Sequence, residues 1–499
     1  MTVGARRART LLVAGIGLGL VLRLAAYASA PRLGYVPDHL DSMAWGTWTR
    51  AHGPLAIYDM EPELAPLLRV ATDPRSGQPA TYLAFAPHAC NYPPFSAYMF
   101  WVKGLLWHVL DGDVRMVPAP SPLRVLLERR GLPTTLELRT VDTRLARAVD
   151  GAPSLVFEVL LALGVGQLAR RLRGPQAAVA GFVLTFAAPA IFLDAAFWGQ
   201  SDAWISAMLV WCLVWWLGGR YVAAGAAYGL ALVTKPQAIL FAPVLAYALL
   251  ALRCRRGGSW GQVAAALRTV PAAVLTAAAV AAPFMAHDAQ SGAGAWRWLE
   301  RSYLGTIGSG EYAYTTLNAF NVWWLDLVAL RPSDADWWRL LDSRTASLIG
   351  LSKDATGMLL LGASIGLAAV LCARRLRWSA TSCVTFAFAV LLSAFLLPTR
   401  VHERYVYYCI PFATALAVQR RAWWVPWMAM SVVGTLEMLS HLFVSATPAS
   451  FAVTGAAAIV ATTMLPWTYG VLALAPVEEE AETGAAAPSP LAGGAEGKS

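Results

Sequence analysis

The sequence predicts an all-α, polytopic membrane protein of about twelve transmembrane helices, with a large first external loop that carries surface helices. Three observations predict it. Of 499 residues, 57% are hydrophobic and 14% charged, and mean hydropathy is +0.51; a soluble chain of this length needs more charge to cover its surface. Long apolar runs with almost no charge recur along most of the chain. Short arginine clusters separate those runs, as expected of cytoplasmic loops. They are Arg170, Arg171 and Arg173; Arg220; Arg253, Arg255 and Arg256; Arg374, Arg375 and Arg377; and Arg420 with Arg421. The net charge of +9 is therefore a topology signal, which argues against nucleic acid as a partner. The 21 Trp and 16 Tyr supply material for interfacial belts. No C-x-x-C or other metal spacing occurs among the six cysteines.

With every cluster on the cytoplasmic side, spans fall near 10–29, 150–169, 176–194, 201–217, 221–234, 237–252, 269–286, 356–373, 380–397, 404–418, 423–443 and 451–472. Both termini then lie inside. The first segment, 1–30, begins with Arg6, Arg7 and Arg9 ahead of the apolar stretch Leu11–Ala30. Its end, Ala28-Ser29-Ala30, also fits a signal-peptide cleavage site. A retained helix is the expectation, and the remaining topology is the same either way. Residues 93–110 are apolar enough to span, with Lys103 as the objection. A crossing there would flip every later arginine cluster outward, and 111–149 offers no second apolar run. The segment is therefore expected to lie on the outer membrane surface, making 31–149 one external loop. Helices 2–7 occupy 150–286, a second external loop 287–355 and helices 8–12 356–475. The Ala/Gly/Pro/Glu-rich stretch 476–499 reads as a disordered cytoplasmic tail. No internal repeat of the kind seen in secondary transporters is present.

Polar residues that are hard to explain as solvent-facing gather on the external side: Asp38 and Asp41, Asn91 and Tyr92, Trp198-Gly199-Gln200-Ser201-Asp202, Lys235-Pro236-Gln237, and Arg400-Val401-His402-Glu403-Arg404. Ionisable groups at a membrane boundary are costly unless paired or used, so five such clusters suggest one polar site beneath the external loops. Asp41 is expected to open an amphipathic helix, with Trp45, Trp48 and His52 on its face. The tryptophans would bed in the interface and hold the carboxylate above the bilayer. The competing reading makes Asp38 a helix cap and Asp41 a partner of the helix dipole; spacing alone does not separate them. Gln200, Ser201 and Asp202 are equally readable as a cap. Lys235, at the tip between two short apolar flanks, calls for an anion. His402-Glu403 begins like the H-E-x-x-H zinc motif, but position 406 is Val, which rules that motif out.

Taken together, these pieces resemble the GT-C membrane glycosyltransferases. The similarity is greatest to bacterial proteins like the GPI mannosyltransferases, and more distant to the dolichyl-phosphoglucose-dependent glucosyltransferases. It rests on Asp41 with Trp48, His52-Gly53-Pro54 before Tyr58-Asp59, Asn91-Tyr92-Pro93-Pro94 with Tyr98, Gly199-Gln200-Ser201-Asp202, Lys235-Pro236-Gln237-Ala238, Asn318-Ala319-Phe320-Asn321, and His402-Glu403-Arg404-Tyr405. These occur in the family's order between residue 41 and about residue 411. The resemblance implies the GT-C fold, Asp41 as catalytic base and a lipid-linked sugar phosphate as donor. One departure is that Asn91 stands where the family usually has Asp, which puts donor preference in doubt.

The expected reaction is inverting transfer of a hexose, of mannose or glucose type, from a polyprenyl phosphate to a hydroxyl of a glycan, lipid or protein acceptor. It would take place on the extracytoplasmic face of an inner or plasma membrane. Growing charge on the phosphate leaving group calls for cations: Arg404, His402 and Lys235, with Arg400 beside them. Asp38, Asn91, Tyr92, Gln200, Asp202, Gln237, Asn321 and Glu403 complete the expected substrate-binding set. No metal or other cofactor is expected. The alternative is a polytopic transporter or lipid-linked-sugar flippase, which predicts repeats and broken mid-membrane helices rather than a large external loop.

Overall fold

The computed structural model describes residues 3–60, 67–72, 79–84, 89–110, 115–118, 128, 135–138, 143–255, 257–305, 313–330, 342–345, 347, 349–445 and 447–475. Prolines set where several of its helices begin, because the first turn has no use for the missing N–H. In chain order come α1 (Val3–Leu33), α2 (Val36–His52) and, opening on proline, α3 (Pro94–Val109). Next are α4 (Arg144–Arg173), α5 (Pro175–Phe186), α6 (Pro189–Trp198), α7 (Asp202–Leu217) and α8 (Tyr221–Leu232). A 3-10 turn, Pro236–Phe241, leads into α9 (Ala242–Cys254), followed by α10 (Trp260–Leu267) and α11 (Thr269–Gln290). After α12 (Trp324–Leu330) come α13 (Lys353–Leu376), α14 (Ala380–Leu396), α15 (Ile410–Gln419), α16 (Trp424–Met438) and α17 (Pro448–Ala473). The expected tail, 476–499, lies outside the described residues.

The protein is a multi-pass membrane protein with an apolar exterior. Val13, Val21 and Leu24 on α1, Val274 and Leu275 on α11, and Met358 and Leu359 on α13 are each more than half exposed. Apolar surface on that scale fits lipid rather than water. Among the described residues, seven helical segments are long and apolar enough to cross a membrane: Arg9–Leu33, Arg144–Arg173, Pro175–Trp198, Pro236–Cys254, Trp260–Gln290, Lys353–Leu376 and Pro448–Ala473. Twelve expected spans less these seven leaves five, at 201–217, 221–234, 380–397, 404–418 and 423–443, whose helices fall short of the ~20 residues a bilayer core requires. The shortfall is greatest in α15, ten residues long, because the chain before it winds as a tight 3-10 turn, Glu403–Tyr408.

The architecture is helical, as expected, and among the described residues the loop between α2 and α4 adds short strands β1 (Leu67–Thr72), β2 (Pro79–Ala84), β3 (Arg115–Pro118) and β4 (Thr135–Leu138), in the order β1-β2-β4-β3. β1 and β2 form an antiparallel pair with Leu67 opposite Ala84; β3 and β4 pair antiparallel, and β2 lies parallel to β4. Strands of four to six residues in a polar loop carry too short a pattern to stand out against the long apolar runs. α3 packs on α2 so closely that a Cβ on Gly104 would fall 1.9 Å from the Gly46 carbonyl oxygen, and it buries Lys103 completely.

Antiparallel succession of the helices gathers alternate ends. At one end Arg173 Nη1 donates to the Val418 carbonyl (2.8 Å) and Arg171 Nη1 to that of Leu217 (3.2 Å), so the arginine cluster that ends α4 meets the ends of α7 and α15. At the other end the Tyr35 amide bonds the Phe197 carbonyl (2.6 Å) and the Phe95 amide that of Val233 (2.8 Å). That second end is where the polar residues collect.

Candidate active site

A cavity of about 530 Å³ opens at this end. Its walls include Asp38, Asp41, Asn91, Tyr92, Gln200, Lys235, Gln237, His402, Glu403 and Arg404, brought in from five separate stretches of chain. Asp202 stands directly behind the wall, wholly buried. Two of the predicted residues are placed elsewhere. Arg400 has a left-handed backbone (φ 60°) and pairs with Asp354 at 2.5 Å. Asn321 is buried in a turn, its Oδ1 accepting from the amides of Trp323 (3.1 Å) and Trp324 (3.3 Å), so it shapes the loop before α12.

α2 positions both acids. It begins at Val36, with Pro37 in its first turn and no side-chain cap, so Asp38 is not a cap and Asp41 lies a turn further in than the predicted start. Asp41 is 6% exposed. Four residues on, Trp45 is buried against Tyr92 and Phe100, with ring centroids 5.6 and 5.0 Å away, rather than bedded in the interface. Trp48 stacks on His52 and donates Nε1–H to the Ala56 carbonyl (2.9 Å), fixing the turn that follows the helix.

The neighbouring face of α2, one position on, is bolted to the bundle. His39 Nδ1 meets Asp150 Oδ2 at 2.7 Å, and the Ser42 hydroxyl donates to Asp150 Oδ1 (2.6 Å). Lys103 from α3 donates to the same Oδ1 at 2.6 Å and to Ser42 Oγ at 2.7 Å. One carboxylate on α4 thus ties three helices together. Gly199 belongs to this joint: its φ is +69°, and a Cβ there would sit 2.3 Å from Asp150 Oδ2. The sequence reading missed Asp150 and His39 and took Lys103 only as an objection to a span. The available signal was the pairing rule itself, since a lysine in an apolar helix calls for a buried acid.

Across the cavity, Arg404 Nη1 lies 3.1 Å from Glu403 Oε1 and 3.6 Å from Asp38 Oδ2, and its Nε 3.8 Å from Asp202 Oδ2. Lys235 donates to Asp202 Oδ1 at 2.6 Å and lies 3.5 Å from Gln200 Oε1. The anion that Lys235 calls for is therefore already supplied by the chain. Gln200 bridges the two sides, donating to Asp38 Oδ2 (2.6 Å) and accepting from the Tyr92 hydroxyl (2.9 Å). Gln237 hydrogen-bonds the hydroxyl of Tyr405, and Tyr408 donates to Asp202; both tyrosines lay outside the predicted set.

Burial raises the Asp38 carboxyl above the usual range, against the opposing pull of Arg404. Burial acts on Glu403 the same way, but His402 and Arg404 outweigh it and hold that carboxyl below its usual value. For His402, burial and Arg404 both push the imidazole down, so it presents a neutral ring near neutral pH instead of the expected cation. Chemically, the cavity sets a buried carboxylate on one wall against a guanidinium on the other, with amide, hydroxyl and aromatic groups between them.

No family model and no curated protein sequence matches the chain. Two solved structures overlap 95% of it: the apo Archaeoglobus fulgidus oligosaccharyltransferase at 15% identity and TM-score 0.39, and the same organism's oligosaccharyltransferase AglB in complex with an inhibitory peptide and a dolichol-phosphate at 13% and 0.42. The chain spans 57% and 56% of the length of those proteins.

Proposed function

We propose that the protein is an inverting glycosyltransferase that moves a hexose, of mannose or glucose type, from a polyprenyl phosphate to an acceptor hydroxyl on the extracytoplasmic face of a cell membrane. The observation that carries this reading is that Asp41, 6% exposed, lines the same cavity as Arg404. Its volume of about 530 Å³ falls within the ~300–1,000 Å³ usual for small-molecule sites, room for a hexosyl phosphate.

In this reading Asp41 accepts the proton of the acceptor hydroxyl as its oxygen attacks the anomeric carbon. The bond from that carbon to the phosphate oxygen breaks, and its electron pair leaves with the polyprenyl phosphate. A positioned carboxylate contributes about 10²–10⁴-fold to such a step. Arg404 meets the growing charge on the phosphate, an interaction stronger in the transition state than in the ground state. Arg404 is the better phosphate partner than Lys235: its carboxylates lie at 3.1–3.8 Å, whereas Lys235 is closed on Asp202 at 2.6 Å. Neutral His402 contributes a hydrogen bond. Asp38, Gln200, Tyr92, Asn91, Gln237 and Glu403 would hold the sugar and orient the cations, and the prenyl tail would lie between the spans. The arginine-rich loops at the far end support an external cavity.

Purified protein supplied with radiolabelled polyprenyl-phosphate hexoses and candidate acceptors tests the reading. A transferase strips label from the lipid. A flippase or transporter moves the intact lipid across vesicles without consuming it, and that outcome would overturn the assignment.

A further inference from the structure

We propose that Asp59, His287 and Asp288 form a binding site for a divalent metal ion of the Zn²⁺ or Mn²⁺ type, apart from the cavity. Asp59 closes the 3-10 turn Pro54–Asp59 that follows α2, and His287 and Asp288 occupy the last turn of α11. One ligand atom from each lies within 4.8 Å of the others, the one such cluster among the described residues. The sequence gives no warning of it, since Asp59 and His287 are 228 positions apart.

The second observation is the state of Asp288. The residue is wholly buried, and neither carboxylate oxygen has a hydrogen-bond partner among the described residues. Its main chain is satisfied, the carbonyl accepting from the Ala293 amide (2.9 Å) and the Ser291 hydroxyl (3.0 Å), so the deficit belongs to the side chain alone. A buried carboxylate in that state is costly unless something positive or proton-bearing completes it. The neighbours are already arranged as ligands: His287 Nε2 sits 2.8 Å from Asp59 Oδ2, and Arg297 Nη1 holds Asp59 Oδ1 at 2.8 Å. Metal-binding carboxylates are commonly fixed by such an outer hydrogen bond. One imidazole with two carboxylates suits zinc or manganese better than calcium, which prefers oxygen alone. His287 and Asp59 side chains are 31% and 33% exposed, which leaves an entry path. Binding would release the His287–Asp59 contact, place Nε2 and the carboxylate oxygens on the ion, and clamp the turn behind α2 to the end of α11.

The test is titration of the full-length, chelator-treated protein in detergent with Zn²⁺ alone and then Mn²⁺ alone, followed by calorimetry, metal content after desalting and melting temperature. Wild type should take up one ion and melt higher. Asp288→Asn and His287→Gln should each weaken binding at least about tenfold, while Asp41→Asn keeps it, which separates this site from the cavity. His287→Gln removes no buried carboxylate and keeps the test decisive should Asp288→Asn fold poorly. A wild-type protein that binds neither ion, or binding unchanged in His287→Gln, overturns the proposal.

Discussion

α2 carries two sets of polar residues one position out of step, and they are wired in opposite ways. His39 and Ser42, three apart, face Asp150, where every oxygen is used at 2.6–2.7 Å and nothing is exposed. Asp38 and Asp41, also three apart, face the cavity. There Arg404 is held by carboxylates at 3.1, 3.6 and 3.8 Å, and its Nε has no hydrogen-bond partner among the described residues. Charge that is saturated holds helices in place, whereas charge that is loosely shared can still be given to a ligand. The first face of α2 fixes the geometry that the second uses.

The largest effect should come from breaking the saturated set. Lys103→Ala leaves Asp150 buried with its cation gone, a change that costs about 3–5 kcal/mol in comparable buried pairs. The variant should lose yield and melt well below wild type, and a melting curve superimposed on wild type would erase the contrast. Next, Arg404→Ala should leave melting within a few degrees while raising KM for the lipid donor about 10–100-fold, the weight of a charged hydrogen bond or two. Equal losses of stability in the two variants would mean that both clusters are structural.

The smallest effects are pH-dependent and sharpen the contrast within the cavity itself. Glu403 is held below its usual range, so it adds stability above the unfolded value of ~4.3, and that contribution is lost as pH falls through the lower folded value. Asp38 is raised, so stability is complete below the unfolded ~3.9 and lost as pH climbs through the higher folded value. At pH 7, Glu403→Gln should lower the melting temperature and Asp38→Asn raise it, by roughly 1–3 °C each. Both differences should shrink on acidification below pH 4. Shifts of the same sign at pH 7 would contradict the pairing described for these two acids.

What could be read from the sequence follows the range of the interactions. Topology rests on local signals, apolar length and arginine clusters, and the segments so marked are helical in the structure. The cavity was readable because Gln200, Lys235 and His402-Glu403-Arg404 are each polar residues beside apolar runs, an anomaly visible in place. Lys103 and Asp150 are 47 positions apart, and no local pattern links them. Arg400 and Arg404 look alike in sequence, yet the left-handed backbone at Arg400 sends it to Asp354 while the following turn carries Arg404 into the cavity. The four strands were hidden for the opposite reason, each too short for its own period to register.

The central claim is that Asp41 is the proton acceptor in a cavity that Arg404 completes. Single-turnover consumption of a radiolabelled polyprenyl-phosphate hexose by Asp41→Asn, with donor binding measured on the same preparation, tests it most directly. The account predicts that the donor still binds with near wild-type affinity and that its consumption slows by about 10²–10⁴-fold. Consumption at the wild-type rate would contradict it.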